Sequence, residues 1–238
     1  MNDIFILTDN LFWYEKITSF FENREEKIDI FCAPSSKNLF REQLEDRKVQ
    51  TIDLKNEFRV LTDYKLGISA HSKQIFPEIL VKTVRCVNIH PGLNPHNRGW
   101  YPQIFSILNK KPIGVTIHIM DAEIDHGNII AQIEAEITEV DTSRTIYDRL
   151  LELEYSLFVK NFDNICNPHL FGSAPASDGN YNSINDFREL CELDLRHNGT
   201  LQQHIDLLRA LTHPPYQNGY FLDENGGKVY VSISFDKK

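Results

Sequence analysis

The sequence has no apolar run long enough to cross a membrane. Its longest apolar runs, such as Ile4–Leu7, have the length of a β-strand, whereas a membrane-spanning helix needs about 20 mostly apolar residues. The N-terminus also lacks the basic start and the small-residue cleavage site of a signal peptide. We therefore expect a cytoplasmic protein that has no membrane partner.

Paired metal-binding or redox cysteines are missing as well. The chain has only four cysteines, far apart and without a Cys-x-x-Cys pair, so reduced thiols are the simplest interpretation. One loop does carry three residues of the types that bind metals, Asp121, Asp125 and His126. Because no second cluster of ligands accompanies that loop, we expect no metal.

A basic surface is absent too. The formal net charge is −9, whereas nucleic-acid binding calls for a cluster of lysine and arginine on one face. We expect no nucleic-acid partner. An anionic substrate would need a locally basic pocket in this acidic chain.

What the sequence does contain is an ordinary globular composition, with 238 residues of which 41% are hydrophobic and 25% charged. In its first half, short apolar runs alternate with longer mixed segments, a pattern typical of a parallel α/β sheet whose strands are buried on both faces. The predicted strands cover residues 3–8, 28–32, 51–54, 66–70, 84–89, 113–120 and 128–137. Ligands of such sheets bind beyond the carboxyl ends of the strands.

The second half predicts a long helix over residues 142–163 and then a change of composition. Residues 167–183 are rich in Pro, Gly, Ser and Asn and are interpreted as a linker. Thr200-x-x-Gln203 has the pattern of a capping box, and Lys228–Phe235 alternates like a closing strand. We expect a catalytic domain at 1–166, the linker at 167–183 and a small C-terminal α+β appendage at 184–238.

Asn88 and His90 stand two residues apart at the end of a predicted strand, so their side chains share one face. An amide donor can stabilise an oxyanion, and an imidazole can accept a proton from a nucleophile; acyl transfer needs both. A second segment adds Asp125, in a loop after a predicted strand, and an aspartate near a histidine can orient the ring. The alternative for an isolated Asn-x-His is a polar strand end without catalytic function.

The two segments together resemble the folate-dependent formyltransferase family. The family hallmarks are Asn-x-His-Pro-x-Leu-x-Pro, matched at 88–95, Gly-x-Thr-x-His, matched at 114–118, and a catalytic Asp followed by x-Gly, matched at 125–127. The resemblance covers roughly residues 1–165 and combines two long motifs with the α/β pattern. It implies a Rossmann-like fold without a dinucleotide, and no G-x-G-x-x-G follows the first strand.

The resemblance also implies residue roles. It makes Asn88, His90 and Asp125 the catalytic residues and N10-formyltetrahydrofolate the formyl donor, without a metal. It places the pterin against the backbone of two short segments. Their members are Gln74, Ile75, Phe76, Asp121, Ala122 and Glu123.

Within the family, residues 98–103 and 210–216 and the short C-terminal part look most like sugar N-formyltransferases. The resemblance thus implies transfer of the formyl group to a nucleotide-linked amino sugar, such as dTDP-4-amino-4,6-dideoxyglucose, for surface polysaccharide (lipopolysaccharide O-antigen) biosynthesis. A homodimer is a further expectation, in which Lys228–Phe235 would pair across the dimer.

Several side chains are candidates for the sugar nucleotide. Lys73 can neutralise a pyrophosphate or remain solvated, and Arg98 can do the same or hold its own loop. Asn10 can contact the nucleotide or cap a helix. Tyr216 and Phe221 can stack on a base or belong to the core. The substrate-binding candidates are Asn10, Lys73, His96, Arg98, Tyr216 and Phe221.

Other functions stay open. A formyl-folate hydrolase usually carries an additional N-terminal domain, for which a first strand at residue 3 leaves no room. Chains that formylate glycinamide ribonucleotide usually end soon after the long helix. Formylation of methionyl-tRNA calls for a larger C-terminal domain and a basic surface. A non-catalytic nucleotide-sugar-binding protein is the alternative outside enzymes, although binding alone does not need His90 and Asp125.

Overall fold

The structure is a computed structural model that describes residues 3–236. Two compact units make up the chain. One contains the chain up to His90 together with Thr116–Gln132 and Glu154–Ala176, and the other contains Pro91–Val115, Ile133–Leu153 and the chain from Ser177 onward. Within residues 3–236, no helix is long and apolar enough to cross a membrane.

The strands and helices follow the α/β pattern that the sequence predicts. The strands are β1 (Ile4–Thr8), β2 (Ile28–Cys32), β3 (Gln50–Thr51), β4 (Leu66–Ala70), β5 (Arg85–His90), β6 (Arg98–Gly99), β7 (Ile113–Ile119), β8 (Ile129–Ala135), β9 (Tyr181–Asn182), β10 (Thr212–His213), β11 (Tyr216–Gln217), β12 (Tyr220–Leu222) and β13 (Lys228–Tyr230). The helices are α1 (Leu11–Phe21), α2 (Arg41–Glu45), α3 (Leu54–Glu57), α4 (Glu78–Thr83), α5 (Pro102–Asn109), α6 (Ser143–Cys166), α7 (Ile184–Cys191) and α8 (Leu201–Leu211).

The central sheet has the strand order β3-β2-β1-β4-β5-β7-β8. Strands β1 to β5 pair in parallel, and β7 runs antiparallel to β5. Every residue of β1 and β4 is buried, as expected for apolar strands that are covered on both faces. This mostly parallel α/β sheet confirms the predicted fold class, and it aligns the carboxyl ends of β1, β4 and β5 at one edge.

Aromatic side chains pack helices onto the sheet of the first unit. Phe5 of β1 stacks on Phe76 with the ring centroids 6.2 Å apart. Trp13 of α1 is fully buried and meets the ring of Phe158 of α6 edge to face at 5.7 Å. Such buried aromatic pairs add about 0.5–1.5 kcal/mol each beyond their area burial. The second pair joins α1 to α6.

The second unit is held by satisfied polar groups as well as by apolar packing of α5 against α8. The buried Asp141 accepts hydrogen bonds from Thr138, Thr145 and Arg149. Burial by itself would raise the pKa of Asp141, but these bonds outweigh it and bring the pKa down to about 2. Its ionised form therefore stabilises this unit. The predicted capping box at Thr200 and Gln203 is present at the start of α8.

Some predicted boundaries are wrong. The closing strand ends at Tyr230 rather than at Phe235, because its partner β12 has only three residues. The strand expected at residues 51–54 is limited to Gln50–Thr51, since Asp53 caps α3 at Leu54. The boundaries of the catalytic domain, linker and appendage stay predictions.

Candidate active site

The end of β5 presents Asn88 and His90 on one face of the sheet. In the antiparallel pairing with β7, Asn88 stands opposite His118 and His90 opposite Thr116. Side chains directly opposite each other in such a pair are close enough to interact. The strand register therefore places an amide and two imidazoles together on one face.

A loop after β7 brings Asp125 to the same place. Asp125 has a backbone φ of 50°, in the left-handed region that aspartate tolerates better than most residues. Two positions later, a side chain on Gly127 would collide with the carbonyl oxygen of Ile119. The Asp-x-Gly motif thus lets the loop fold back closely onto the end of β7.

The Asp125 carboxylate lies between Asn88, His90 and His118. Its Oδ1 accepts a hydrogen bond of 2.9 Å from Nδ2 of Asn88 and is 3.5 Å from Nε2 of His118. Its Oδ2 is 3.5 Å from Nδ1 of His90, which is ion-pair range and longer than a typical hydrogen bond. The structure thus brings the three predicted catalytic residues together around one carboxylate.

His90 is buried and neutral at pH 7. Burial lowers its pKa below the ordinary value of 6.5, as do His118 and His71, while Asp125 raises it. The carboxylate faces Nδ1 and favours a proton there, which leaves the lone pair on Nε2. Within residues 3–236, the buried Nε2 has no hydrogen-bond partner. A buried ring nitrogen of this kind can accept a proton from a ligand.

Both amide protons of Asn88 point to protein groups. Nδ1 of His118 lies 3.1 Å from the carbonyl oxygen of Ile119, which only accepts, so the His118 proton is on Nδ1 and its Nε2 is an acceptor. Nδ2 of Asn88 therefore donates to Nε2 of His118 at 3.3 Å and to Asp125 at 2.9 Å. To donate to a ligand, Asn88 must release one of these bonds, and the longer bond, to His118, is the weaker.

The predicted pterin segments both lie in the first unit. The side chain of Gln74 is occupied, since it bonds to the backbone of Ile52 and Leu54 at 3.0 and 2.9 Å. Ile75 is exposed and Phe76 is buried against the core. Asp121 accepts a hydrogen bond from the backbone of Glu123 and pairs with the imidazole of His126 at 2.8 Å, while Ala122 and Glu123 are exposed. The binding role of both segments stays a prediction.

Two substrate candidates of the first unit have structural partners. The side chain of Asn10 accepts a hydrogen bond from the backbone of Trp13 and caps α1, as one of its two interpretations requires. Nζ of Lys73 is 3.4 Å from the hydroxyl of Ser36, and the backbone N–H of Lys73 donates to Asp9. Lys73 is exposed, so its ammonium stays accessible to an anion.

The other four substrate candidates lie in the second unit on separate elements. Arg98 belongs to β6, which pairs with Tyr181 of β9, and His96 lies in the turn before it. Tyr216 is exposed on the β10–β11 hairpin, beside the ring of His213 at 5.9 Å, and Phe221 is on β12. Their substrate contacts stay predictions.

Two further histidines lie beside the predicted catalytic residues and are not among the site residues predicted from the sequence. Nε2 of His118 is 3.3 Å from the amide nitrogen of Asn88. Nε2 of His71 is 2.7 Å from the buried Glu154. A charged residue within the apolar stripe of α6 is the signal that identifies Glu154. Among residues 3–236, no cluster of His, Cys, Asp and Glu has the arrangement to hold a metal ion.

Comparison with known families matches most of the chain. The profile described as "Formyl transferase" matches residues 23–162. A second profile, "N-formyltransferase dimerization C-terminal domain", matches residues 186–237.

Individual relatives match over the full length. The dTDP-4-amino-4,6-dideoxyglucose formyltransferase of Mycobacterium tuberculosis strain H37Rv is 39% identical over 97% of this chain and 95% of its own. The crystal structure of a 4-N formyltransferase from Francisella tularensis is 45% identical, with a TM-score of 0.96 over 100% of this chain and 99% of that one. A more distant structure, the formyltransferase PseJ from Anoxybacillus kamchatkensis in complex with UDP-4,6-dideoxy-4-formamido-L-AltNAc and tetrahydrofolate, is 25% identical, with a TM-score of 0.56 over 78% of this chain and 88% of that one.

Proposed function

This chain belongs to the formyl transferase family, and we propose that it transfers the formyl group of N10-formyltetrahydrofolate to the amine of a nucleotide-linked amino sugar. One observation carries the proposal most directly. The buried imidazole of His90 faces Asp125 with one nitrogen and keeps the other without a partner among residues 3–236. That arrangement serves a nucleophile that must lose a proton.

The residues present fit a formyl-folate. The orphaned nitrogen of His90 and the amide of Asn88 stand side by side at a strand end, the usual ligand edge of such a sheet. The backbone of residues 74–76 and 121–123 would hold the pterin. The bound folate supplies the electrophilic formyl carbon. The relative from Anoxybacillus, crystallised with tetrahydrofolate, supports this co-substrate.

His90 acts as the base. As the sugar nitrogen bonds to the formyl carbon, Nε2 of His90 takes the proton that this nitrogen loses. Asp125 stabilises the resulting imidazolium through Nδ1, so the carboxylate itself stays ionised. His90 can then return the proton to the departing folate nitrogen as the carbon–nitrogen bond to the folate breaks.

Asn88 stabilises the formyl oxygen. In the protein without substrate, its two amide protons are directed to Asp125 and His118. We propose that the amide exchanges the 3.3 Å bond to His118 for a bond to the formyl oxygen when negative charge develops there. A donor of this kind contributes about 3 kcal/mol of transition-state stabilisation.

The acceptor that we propose is dTDP-4-amino-4,6-dideoxyglucose or a close relative. The full-length similarity to an enzyme named for that sugar supports this choice. The test is to incubate the protein with N10-formyltetrahydrofolate and a panel of dTDP- and UDP-linked amino sugars, and to look by mass spectrometry for the gain of one formyl group. Formylation of the dTDP-4-amino sugar ahead of 3-amino and UDP-linked sugars is the expected result.

The same assay distinguishes the proposal from its alternatives. Consumption of formyl-folate without any amino sugar would identify a hydrolase instead. Binding of a sugar nucleotide without consumption would identify a non-catalytic binding protein. Formyl transfer to glycinamide ribonucleotide or methionyl-tRNA in place of any sugar would replace the proposed acceptor.

We also propose a homodimer that forms through residues 186–237, which match a dimerization domain. The β12–β13 hairpin in this region exposes Leu222, Val229 and Tyr230. The paired change Leu222→Asp and Val229→Asp should lower the mass measured by light scattering to that of one chain. Val60→Asp, at an exposed valine outside this region, should leave it unchanged. A monomeric parent protein would contradict the proposal.

A cytoplasmic location and a role in surface polysaccharide synthesis complete the proposal. Both depend on the sugar acceptor. Loss of the formylated sugar from the surface polysaccharide of a strain that lacks this chain would support them.

A further inference from the structure

The central sheet changes the direction of its connections between β1 and β4. From β1 the chain adds β2 and β3 on one side, and then adds β4 and β5 on the other. The segments that follow β1 and β4 therefore leave the sheet in opposite directions, and open α/β sheets usually bind their ligands in the crevice between such segments. Asp9 follows β1 directly, and residues 71–76, which include a predicted pterin segment, follow β4.

Asp9 connects the ends of three parallel strands of the first unit. Its side chain is buried, and Oδ1 accepts a hydrogen bond of 2.8 Å from the backbone N–H of Ala33, directly after β2. Oδ2 accepts a bond of 2.7 Å from the backbone N–H of Lys73, after β4. The backbone N–H of Asp9 donates to the carbonyl oxygen of His71 at 3.3 Å. Each carboxylate oxygen thus holds one strand end.

Other side chains fix the same segment after β4. Oγ of Ser72 accepts a hydrogen bond of 3.1 Å from the backbone N–H of Gln74. The Gln74 side chain is itself bonded to the backbone of Ile52 and Leu54. His71 has a φ of 59°, in the left-handed region that a residue other than glycine keeps only where its surroundings impose it. Such residues are concentrated at functional sites.

We propose that Asp9 is a positioning residue, which shapes the backbone of residues 71–76 in advance for the folate co-substrate. The segment is then ordered during folding rather than on binding, and a preorganised segment binds its ligand more tightly. The identity of the ligand rests on the proposed function, whereas the effect of Asp9 on binding can be measured by itself.

The test is a calorimetric titration of the whole protein with 5-formyltetrahydrofolate, a stable isomer of the proposed formyl donor. Asp9→Asn keeps the size of the side chain but has one acceptor oxygen in place of two, so one strand end faces an NH₂ group and is released. The Kd should rise about tenfold. Ser72→Ala removes only the bond to Gln74 and should raise the Kd about threefold.

Asp141→Asn is the matched control, because it makes the same substitution at another buried, hydrogen-bonded aspartate, in the second unit. It should lower stability and leave the Kd unchanged. In the formyl-transfer assay, the KM for N10-formyltetrahydrofolate should rise in Asp9→Asn by the same factor as the Kd. The kcat at saturating concentrations of both substrates should stay close to that of the parent. A residue that only stabilises the fold would not produce this difference between KM and kcat.

The outcomes separate this inference from the proposed function. Weaker binding in Asp9→Asn that Asp141→Asn does not share supports the positioning role, even if no formyl transfer is found. A Kd in Asp9→Asn equal to that of the parent, or an equal rise in Asp141→Asn, overturns it even if the enzyme formylates its sugar. If Asp9→Asn does not fold, the Kd of Ser72→Ala decides in the same way. A parent protein that binds no folate would contradict both.

Discussion

Two aspartates, Asp125 and Asp141, are surrounded by polar groups in opposite ways. Asp141 accepts five hydrogen bonds, from Thr138, Thr145 and Arg149, and every one of them is 3.2 Å or shorter. Asp125 accepts a 2.9 Å bond from Asn88 and faces the two imidazoles only at 3.5 Å. Beyond it, the buried Nε2 of His90 has no partner among residues 3–236.

The difference distinguishes Asp141, whose hydrogen bonds stabilise the fold, from Asp125, which lies at the proposed reaction site. A fully bonded carboxylate contributes its interactions in the native state and has nothing left for a ligand. A buried nitrogen without a partner costs stability unless a ligand uses it. We therefore expect changes around Asp141 to affect stability, and changes around Asp125 to affect turnover.

The largest expected effect is that of His90→Gln. Glutamine cannot take up the proton of the amine, so turnover should fall by about 10²–10⁴-fold in a stopped assay of formylated sugar. His169→Gln, at an exposed histidine, should not change it. Turnover within a few-fold of the parent would show that His90 is not the base.

Asn88→Ala should follow, with turnover lower by about 100-fold, because the developing charge on the formyl oxygen loses its donor. The loss should appear in kcat rather than in KM. Asn56→Ala, at an exposed asparagine of α3, is the control. A change confined to KM would mean that Asn88 binds substrate without stabilising the transition state.

Asp141→Asn should leave turnover close to that of the parent and lower the free energy of unfolding by roughly 2 kcal/mol, measured by urea denaturation at pH 7. Because the folded pKa of Asp141, about 2, is below the ordinary 3.8, its contribution is complete above about pH 4 and is lost as the pH falls toward 2. The variant should lose this part of the pH dependence. Asp148→Asn, at an exposed partner of Arg144, should retain it.

Thr145→Val should have the smallest effect, about 1 kcal/mol, because it removes one of the five hydrogen bonds to the ionised Asp141, together with the local bonds of the Thr145 hydroxyl to the backbone of Thr142, and leaves the other four in place. It should not alter the kinetics. A clear fall in turnover, with the free energy of unfolding unchanged, would contradict the distinction between the two aspartates.

The sequence predicts much of the candidate site, for a physical reason. Asn88 and His90 are two residues apart on a strand, and strand geometry places them on one face. The contact of His118 with Asn88 depends on the antiparallel register of β7, and the pairing of His71 with Glu154 joins residues 83 apart in the chain. Both contacts arise from tertiary packing, which local patterns do not contain. The sequence overestimates the length of the closing strand, because the alternation of residues along one strand does not reveal how long its partner strand is.

The most direct test of the account is a single-turnover reaction of the parent protein and of His90→Gln with equal amounts of N10-formyltetrahydrofolate and dTDP-4-amino-4,6-dideoxyglucose. The parent should form one formylated sugar for each tetrahydrofolate released, while His90→Gln binds both and forms almost none. Equal product from the two proteins, or tetrahydrofolate released without formylated sugar, would contradict it.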